Sequence, residues 1–232
     1  MQGTQLFCLT MPIGFLLLLP LSFMHGNFYY DFPELFFLSA LLLASAKGQY
    51  AYWIIFFPLA VLNKESNIIV PLLYMPIMIT HANTWSKRTY IIISIIISLA
   101  VYFSIKYHFS DNLGGATIWQ LQKNIEFWLT PSSYLLWHDF YAPLILFPRG
   151  INVLFMTLLA SLFLFDWKNK PAIIKNLFFV SLLINIPLWL AFCHNDEMRN
   201  LSFVFLPALL VSAHSLHKLL GEEQITGSLT RF

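Results

Sequence analysis

The segment from Tyr90 to Tyr107 most strongly limits what this chain can fold into, because it is a nearly continuous apolar run rich in isoleucine. A helix of this length is about as long as the hydrocarbon core of a bilayer is thick, roughly 30 Å. Similar apolar runs recur along the chain, which has 58% hydrophobic and only 10% charged residues. That composition leaves too little polar surface to cover a water-soluble globule. The sequence therefore predicts an integral membrane protein.

The 232 residues predict an all-α, polytopic transmembrane bundle of about eight spans. We expect one transmembrane helical domain over 1–220, followed by a flexible cytoplasmic tail over 221–232. The predicted spans are Leu6–Met24, Phe32–Ala46, Tyr50–Leu62, Ile68–Thr80 (kinked by its prolines), Tyr90–Tyr107, Gly150–Phe165, Ala172–Cys193 and Leu201–Leu219.

The interval 116–148 is predicted to be interfacial or re-entrant. Ile118, Leu121, Ile125 and Trp128 recur at helical spacing between polar residues, a pattern typical of an amphipathic helix on a membrane surface. The apolar stretch that follows, Tyr134–Pro148, is short and contains two prolines, so it is not expected to cross the bilayer.

Positive residues indicate the topology, since Lys and Arg collect on the cytoplasmic side. If Lys87–Arg88, Lys168/Lys170 and Lys218 share that side, the N-terminus is also cytoplasmic and most polar loops lie outside. The net charge of +2 is scattered, which argues against nucleic acid as a partner. Neither the two cysteines nor the histidines show metal-ligand spacing, so no metal site is predicted and no cofactor can be named.

The tetrapeptide Asn63–Ser66 interrupts the apolar run from Tyr50 to Thr80. Ionisable groups beside hydrocarbon are costly unless they reach an interface or line a cavity, so Lys64 and Glu65 are candidate site residues. The alternative is a tight turn in which Lys64 follows one helix and Glu65 precedes the next, each charge complementing a helix dipole. The topology places this turn on the outer side with the other polar loops, which favours a functional role, above all for Lys64.

Two further outer loops contain candidate residues. Glu197 at the start of the last helix has an ordinary explanation in the helix dipole, but Arg199 there does not. Arg199 is expected to pair with an acid such as Glu197, Glu65 or Asp31, or to bind an anion. Asp31 is either a helix cap or a general base whose pKa is raised by partial burial.

The Asn-Lys-Glu-Ser break (63–66) before a proline-bearing helix, and Asp-Glu-Met-Arg (196–199) before a helix with Pro207, resemble motifs of GT-C membrane glycosyltransferases and related polysaccharide polymerases. The resemblance covers about Asn27 to Pro207 and rests on short motifs. It implies transfer of a sugar from a polyprenyl-phosphate-linked donor to a glycan or lipid acceptor on the extracytoplasmic face.

By this resemblance, Lys64 and Arg199 would bind the carrier phosphate, Glu65 and Glu197 would orient them, and Asp31 would be the catalytic acid of the first outer loop. Family members are usually longer, so the chain is expected to be an N-terminally truncated member. The expected location is a bacterial inner membrane, where the chain is multi-pass and contacts membrane lipid. The alternatives are a polytopic transporter or flippase, and a non-catalytic fragment of a larger membrane protein.

Overall fold

A computed structural model describes residues 30–82, 84–111, 118–139, 146–148, 151–195 and 197–219. This part of the chain is helical apart from one short pair of strands, which confirms the predicted helical class. It falls into two compact units, here called the N-terminal unit (30–111) and the C-terminal unit (118–219). The single domain over 1–220 stays a prediction, and the predicted first span and the tail lie outside the described residues.

The N-terminal unit contains five helices among its described residues. Short 3₁₀ turns precede the second and third of them, at Tyr50–Tyr52 and Glu65–Ile69. The helices are α1 (Asp31–Ala46), α2 (Trp53–Asn63), α3 (Val70–Leu73), α4 (Met75–His81) and α5 (Trp85–His108).

The predicted kinked span Ile68–Thr80 is wrong in detail, because the chain there forms two separate short helices that meet at Tyr74. Pro71 lies in the first turn of α3 and Pro76 in the first turn of α4. Proline has no N–H to donate to the preceding turn and suits the start of a helix, so each one begins a helix instead of bending a longer one.

An aromatic cluster forms the core of the N-terminal unit. Tyr50, Trp53, Phe57 and Tyr74 are almost fully buried, and the Trp53 and Tyr74 rings meet edge to face at 6.4 Å. Two of these residues are hydrogen-bonded to α1: Trp53 Nε1 donates to Ser45 Oγ at 3.2 Å, and the Tyr74 hydroxyl donates to the Leu38 carbonyl at 2.9 Å. The cluster thus joins α1, α2 and the α3–α4 segment.

Helix α5 packs mainly against α2. Its buried positions are the small residues Ser94 and Ser98, while isoleucines on its other faces are exposed. Small residues let two helices approach closely, and an apolar outer surface suits contact with lipid. The predicted span Tyr90–Tyr107 is therefore present as a helix, which begins five residues earlier than expected.

The C-terminal unit begins with α6 (Leu121–Leu129), the predicted amphipathic helix, followed by a 3₁₀ turn (Pro131–Leu135). For the next stretch, predicted to be interfacial or re-entrant, the described residues form two short strands. Strands β1 (Trp137–Asp139) and β2 (Leu146–Pro148) pair there antiparallel, with Trp137 opposite Pro148.

Three further helices complete the unit as described: α7 (Val153–Leu164), α8 (Ala172–Phe192) and α9 (Ser202–Leu219), with a 3₁₀ turn (Met198–Leu201) before α9. Helix α9 packs against both α7 and α8, and α6 packs against α8. Beneath α6, a small core buries Ile151, Trp189, Met198 and Leu201.

Three helical segments among the described residues are long and apolar enough to cross a membrane: Trp85–His108, Ala172–Phe192 and Met198–Leu219. Tyr50–Asn63 and Val153–Leu164 are apolar but shorter. The length and composition of these helices support the prediction of a membrane protein.

Candidate functional site

The predicted turn at Asn63–Ser66 is present. Helix α2 ends at Asn63, and Lys64 adopts an extended backbone with φ −153° and ψ 119°. Asn67 fixes the turn, since its buried side-chain amide donates to the Ala60 carbonyl at 2.8 Å and its backbone N–H donates to the Lys64 carbonyl at 3.0 Å. These bonds fix the backbone of the turn on both sides of Lys64, so the fold sets the direction of the Lys64 side chain.

The Lys64 side chain points to an acid that the sequence analysis did not single out. Its Nζ lies 2.8 Å from Glu34 Oε2, with Glu34 0% and Lys64 18% exposed. The Lys64 ammonium also lies 5.8 Å from the centre of the Tyr30 ring, and the Asn63 side-chain amide donates to the Tyr30 carbonyl at 3.0 Å. We call Tyr30, Glu34, Asn63 and Lys64 the Lys64 site.

Asp31 is buried in the first turn of α1, three residues before Glu34. Side chains three apart lie on one face of a helix, so both acids share a face. The residue that caps α1 is Tyr30, and it makes no side-chain capping bond, so the cap role considered for Asp31 is not observed. Both acidic residues lie in the first turn of α1.

Glu65 does not contact Lys64. It pairs instead with Lys106 on α5 at 2.8 Å, and both side chains are about half exposed. The role of orienting Lys64 therefore belongs to Glu34, and the expectation for Glu65 in that role is wrong. The two neighbouring charges in the turn point into different surroundings, because Lys64 is extended while Glu65 already belongs to the following 3₁₀ turn.

The Glu65–Lys106 pair provides the first prediction. Water screens an exposed pair and its side chains lose entropy on pairing, so Glu65→Gln is expected to leave the melting temperature of the purified protein unchanged within error. Glu34→Gln, which alters a buried partner, is expected to lower it clearly. Thermal unfolding in one detergent, followed by tryptophan fluorescence, compares the two; an equal loss in both variants would contradict the assignment.

Arg199 is paired with Glu197, one of the acids expected for it. Its Nε donates to Glu197 Oε1 at 2.9 Å, and Nη2 contacts the same oxygen. The backbone beneath is fixed by α8, since Trp189 Nε1 donates to the Glu197 carbonyl at 3.0 Å and the Asn185 amide donates to the Asn200 carbonyl at 3.0 Å. The carboxylate thus holds a guanidinium at the turn before α9.

In each unit one of the predicted cationic site residues forms an ion pair: Lys64 pairs with Glu34, and Arg199 pairs with Glu197. Glu34 was missed although a signal was present. It is a carboxylate inside an apolar helix, three residues after Asp31, and this is the same criterion that drew attention to Lys64.

The Lys64 ammonium has capacity for a further partner. An ammonium has three N–H donors, and Glu34 accepts one of them. In the described part of the chain no second hydrogen-bond acceptor contacts this nitrogen, and the side chain keeps 18% of its exposure. An anion can therefore approach a cation whose position is already fixed.

No group of three His, Cys, Asp or Glu side chains suited to a metal ion occurs among the described residues. Comparison with protein-family models, with curated proteins and with solved structures finds no match.

Proposed function

We propose that this chain is a membrane glycosyltransferase or glycan polymerase, which transfers a sugar from a polyprenyl-phosphate-linked donor on the extracytoplasmic face. The observation that carries the proposal is Lys64, a partly exposed ammonium held by the fully buried Glu34 at the end of an apolar helix. A cation beside hydrocarbon, two of whose N–H donors have no acceptor in the described segments, suits a phosphate whose lipid tail lies in the bilayer.

In the proposed reaction the acceptor hydroxyl oxygen attacks the anomeric carbon of the donor sugar. The bond from that carbon to the phosphate oxygen breaks, and the oxygen leaves with the electron pair. Lys64 stabilises the negative charge that develops on the phosphate, because its position needs no reorganisation during the reaction. The hydroxyl proton passes to a carboxylate base, for which Asp31 is the candidate in the N-terminal unit.

The proposal includes a multi-pass chain of about eight crossings in a bacterial inner membrane, with the Lys64 site on the outer side. Arg199, in the C-terminal unit, is a separate candidate ligand for phosphate, and Glu197 orients it. Glu65 has no part in the proposed site, because its charge is used at the surface with Lys106.

The test is the incorporation of labelled sugar into cell-surface glycan by a strain whose own copy is deleted. Lys64→Met is expected to lower product formation by about 10²- to 10³-fold, the usual effect of losing one fixed charge at a transition state. Lys106→Met is the matched control, since it removes an exposed lysine from the same unit and is expected to leave product unchanged.

A second variant separates chemistry from folding. Glu34→Gln combined with Lys64→Met removes both charges of the buried pair. This protein is therefore expected to accumulate normally but still to be inactive. Product at the wild-type level from the double variant would contradict the proposal and show that the pair is structural.

A further inference from the structure

A second group of cations lies at one end of the C-terminal unit, where the turn between α7 and α8 meets the last turn of α9. Asp166 is the sole acid in the described segments 151–195 and 202–219. The same segments contain four lysines, all at this end: Lys168, Lys170, Lys175 and Lys218. The charge of this end is therefore strongly positive, and nothing in the proposed reaction uses it.

Hydrogen bonds fix the framework of this end. The buried Lys170 ammonium donates to the Phe165 carbonyl and to Ser215 Oγ, both at 2.6 Å. Ser215 Oγ in turn donates to the Leu162 carbonyl at 2.5 Å. These bonds join the carboxyl end of α7 to α9, and the carbonyls at a helix end are favourable partners for a cation.

The two groups that accept hydrogen bonds from Lys170 are neutral, so they do not balance its positive charge. Burial lowers the pKa of its amine to about 8, Asp166 opposes that shift, and Lys218 adds to it. The one acid is itself used, since Asp166 Oδ1 lies 2.7 Å from Lys218 Nζ. The hydrogen bond from Lys218 is the main reason why the pKa of Asp166 lies below its usual range.

Two lysines, the exposed Lys168 and the half-buried Lys175, are left without an acid in the described part of the unit. Lys168 lies in the turn, and Lys175 lies in the first turn of α8 with its Nζ 3.4 Å from the Lys168 carbonyl. The Lys175 ammonium is thus held beside the backbone of Lys168. We call Lys168, Lys175 and Lys218 the lysine patch; Lys170 is buried beneath it, and its ammonium is used inside the unit.

The surroundings of the lysine patch are apolar and aromatic. Trp167 stands in the same turn and meets the Phe179 ring edge to face at 5.4 Å. Leu164, Phe179 and Leu183 lie nearby on α7 and α8 with most of their side chains exposed. An indole beside exposed hydrocarbon is typical of the membrane–water interface.

We propose that the lysine patch binds the headgroup of an anionic phospholipid, with the acyl chains lying against the exposed apolar side chains of α7 and α8. On the proposed topology this end faces the cytoplasm, where the leaflet is rich in anionic lipid. A soluble phosphate fits the charge but not the apolar flank. The inference rests on the proposed topology and not on the proposed reaction.

The test titrates the full chain in a neutral detergent with phosphatidylglycerol and with phosphatidylcholine of the same acyl chains, and counts bound lipid by native mass spectrometry. Each lysine near an anionic surface contributes roughly fivefold in affinity. Lys168 and Lys175 together are expected to give the wild type a preference of about 30-fold for phosphatidylglycerol over phosphatidylcholine. Lys168→Gln with Lys175→Gln is expected to abolish that preference, whereas Lys168→Arg with Lys175→Arg keeps it.

Lys47→Gln with Lys123→Gln is the matched control, because it removes the same charge from exposed lysines elsewhere and is expected to keep the preference. Equal binding of the two lipids by the wild type, or an unchanged preference after the Lys168 and Lys175 substitutions, would overturn the proposal. Displacement of phosphatidylglycerol by inorganic phosphate at comparable concentration would also overturn it, since the site would then recognise free phosphate.

Discussion

Replacing Lys64 by methionine is expected to lower the free energy of unfolding by about 3–5 kcal/mol, because the buried Glu34 carboxylate then loses the ammonium with which it is paired. The magnitude follows from burial: Glu34 is 0% exposed, so water cannot take the place of the ammonium. Thermal or denaturant unfolding of the purified protein, compared with wild type in the same detergent, measures the loss.

The control is a double variant that also removes the Glu34 carboxylate. Glu34→Leu together with Lys64→Met replaces the pair by apolar groups of similar size and is expected to restore stability to near the wild-type value. A double variant as unstable as Lys64→Met alone would show that the lysine stabilises the fold through contacts other than the ion pair. Together with the glycan assay, the single Lys64→Met variant and this double variant separate the contribution of the Lys64 site to stability from its proposed role in the reaction.

Replacing Asn124 by leucine is expected to destabilise the docking of α6 by about 2–4 kcal/mol. The buried Asn124 amide donates to the carbonyl of Leu190, in the last turn of α8, at 2.7 Å and to that of Cys193, the residue after the helix, at 2.9 Å. Its loss removes one buried hydrogen bond from each carbonyl, and losing a buried hydrogen-bond partner costs about 1–3 kcal/mol.

Amide hydrogen exchange over residues 121–129 measures this effect, since an undocked α6 exchanges faster. Lys123→Leu is the control, because it places the same side chain on an exposed neighbouring position of α6 and is expected to leave exchange unchanged. Equal acceleration in both variants would mean that leucine disturbs the helix in general and that Asn124 does not fix it in place.

Much of the helical pattern could be predicted from the sequence, because apolar runs of span length and an amphipathic period are local signals. The predicted helices Phe32–Ala46, Ala172–Cys193 and Leu201–Leu219 are all present within a residue or two. The strands β1 and β2 were missed because each has three residues, too few to show an alternating pattern.

The charge partners were harder to predict than the helices. That Arg199 pairs with Glu197 could be expected, since the two are neighbours in sequence. The partner of Lys64 is 30 residues away on another helix, and only the packing of α1 against α2 brings Glu34 to it. Lys170 served only as a marker of topology, and its burial depends on Ser215 on α9.

The short apolar helices have a consequence for the bilayer around the protein. Tyr50–Asn63 and Val153–Leu164 extend only about 21 Å and 18 Å at 1.5 Å per residue. On the proposed topology both units therefore impose hydrophobic mismatch, and the surrounding lipid must thin by several ångströms to meet the helix ends. Such a protein is expected to partition into thin, fluid regions of the membrane, where the path from lipid to an ammonium at the end of α2 is also shortest.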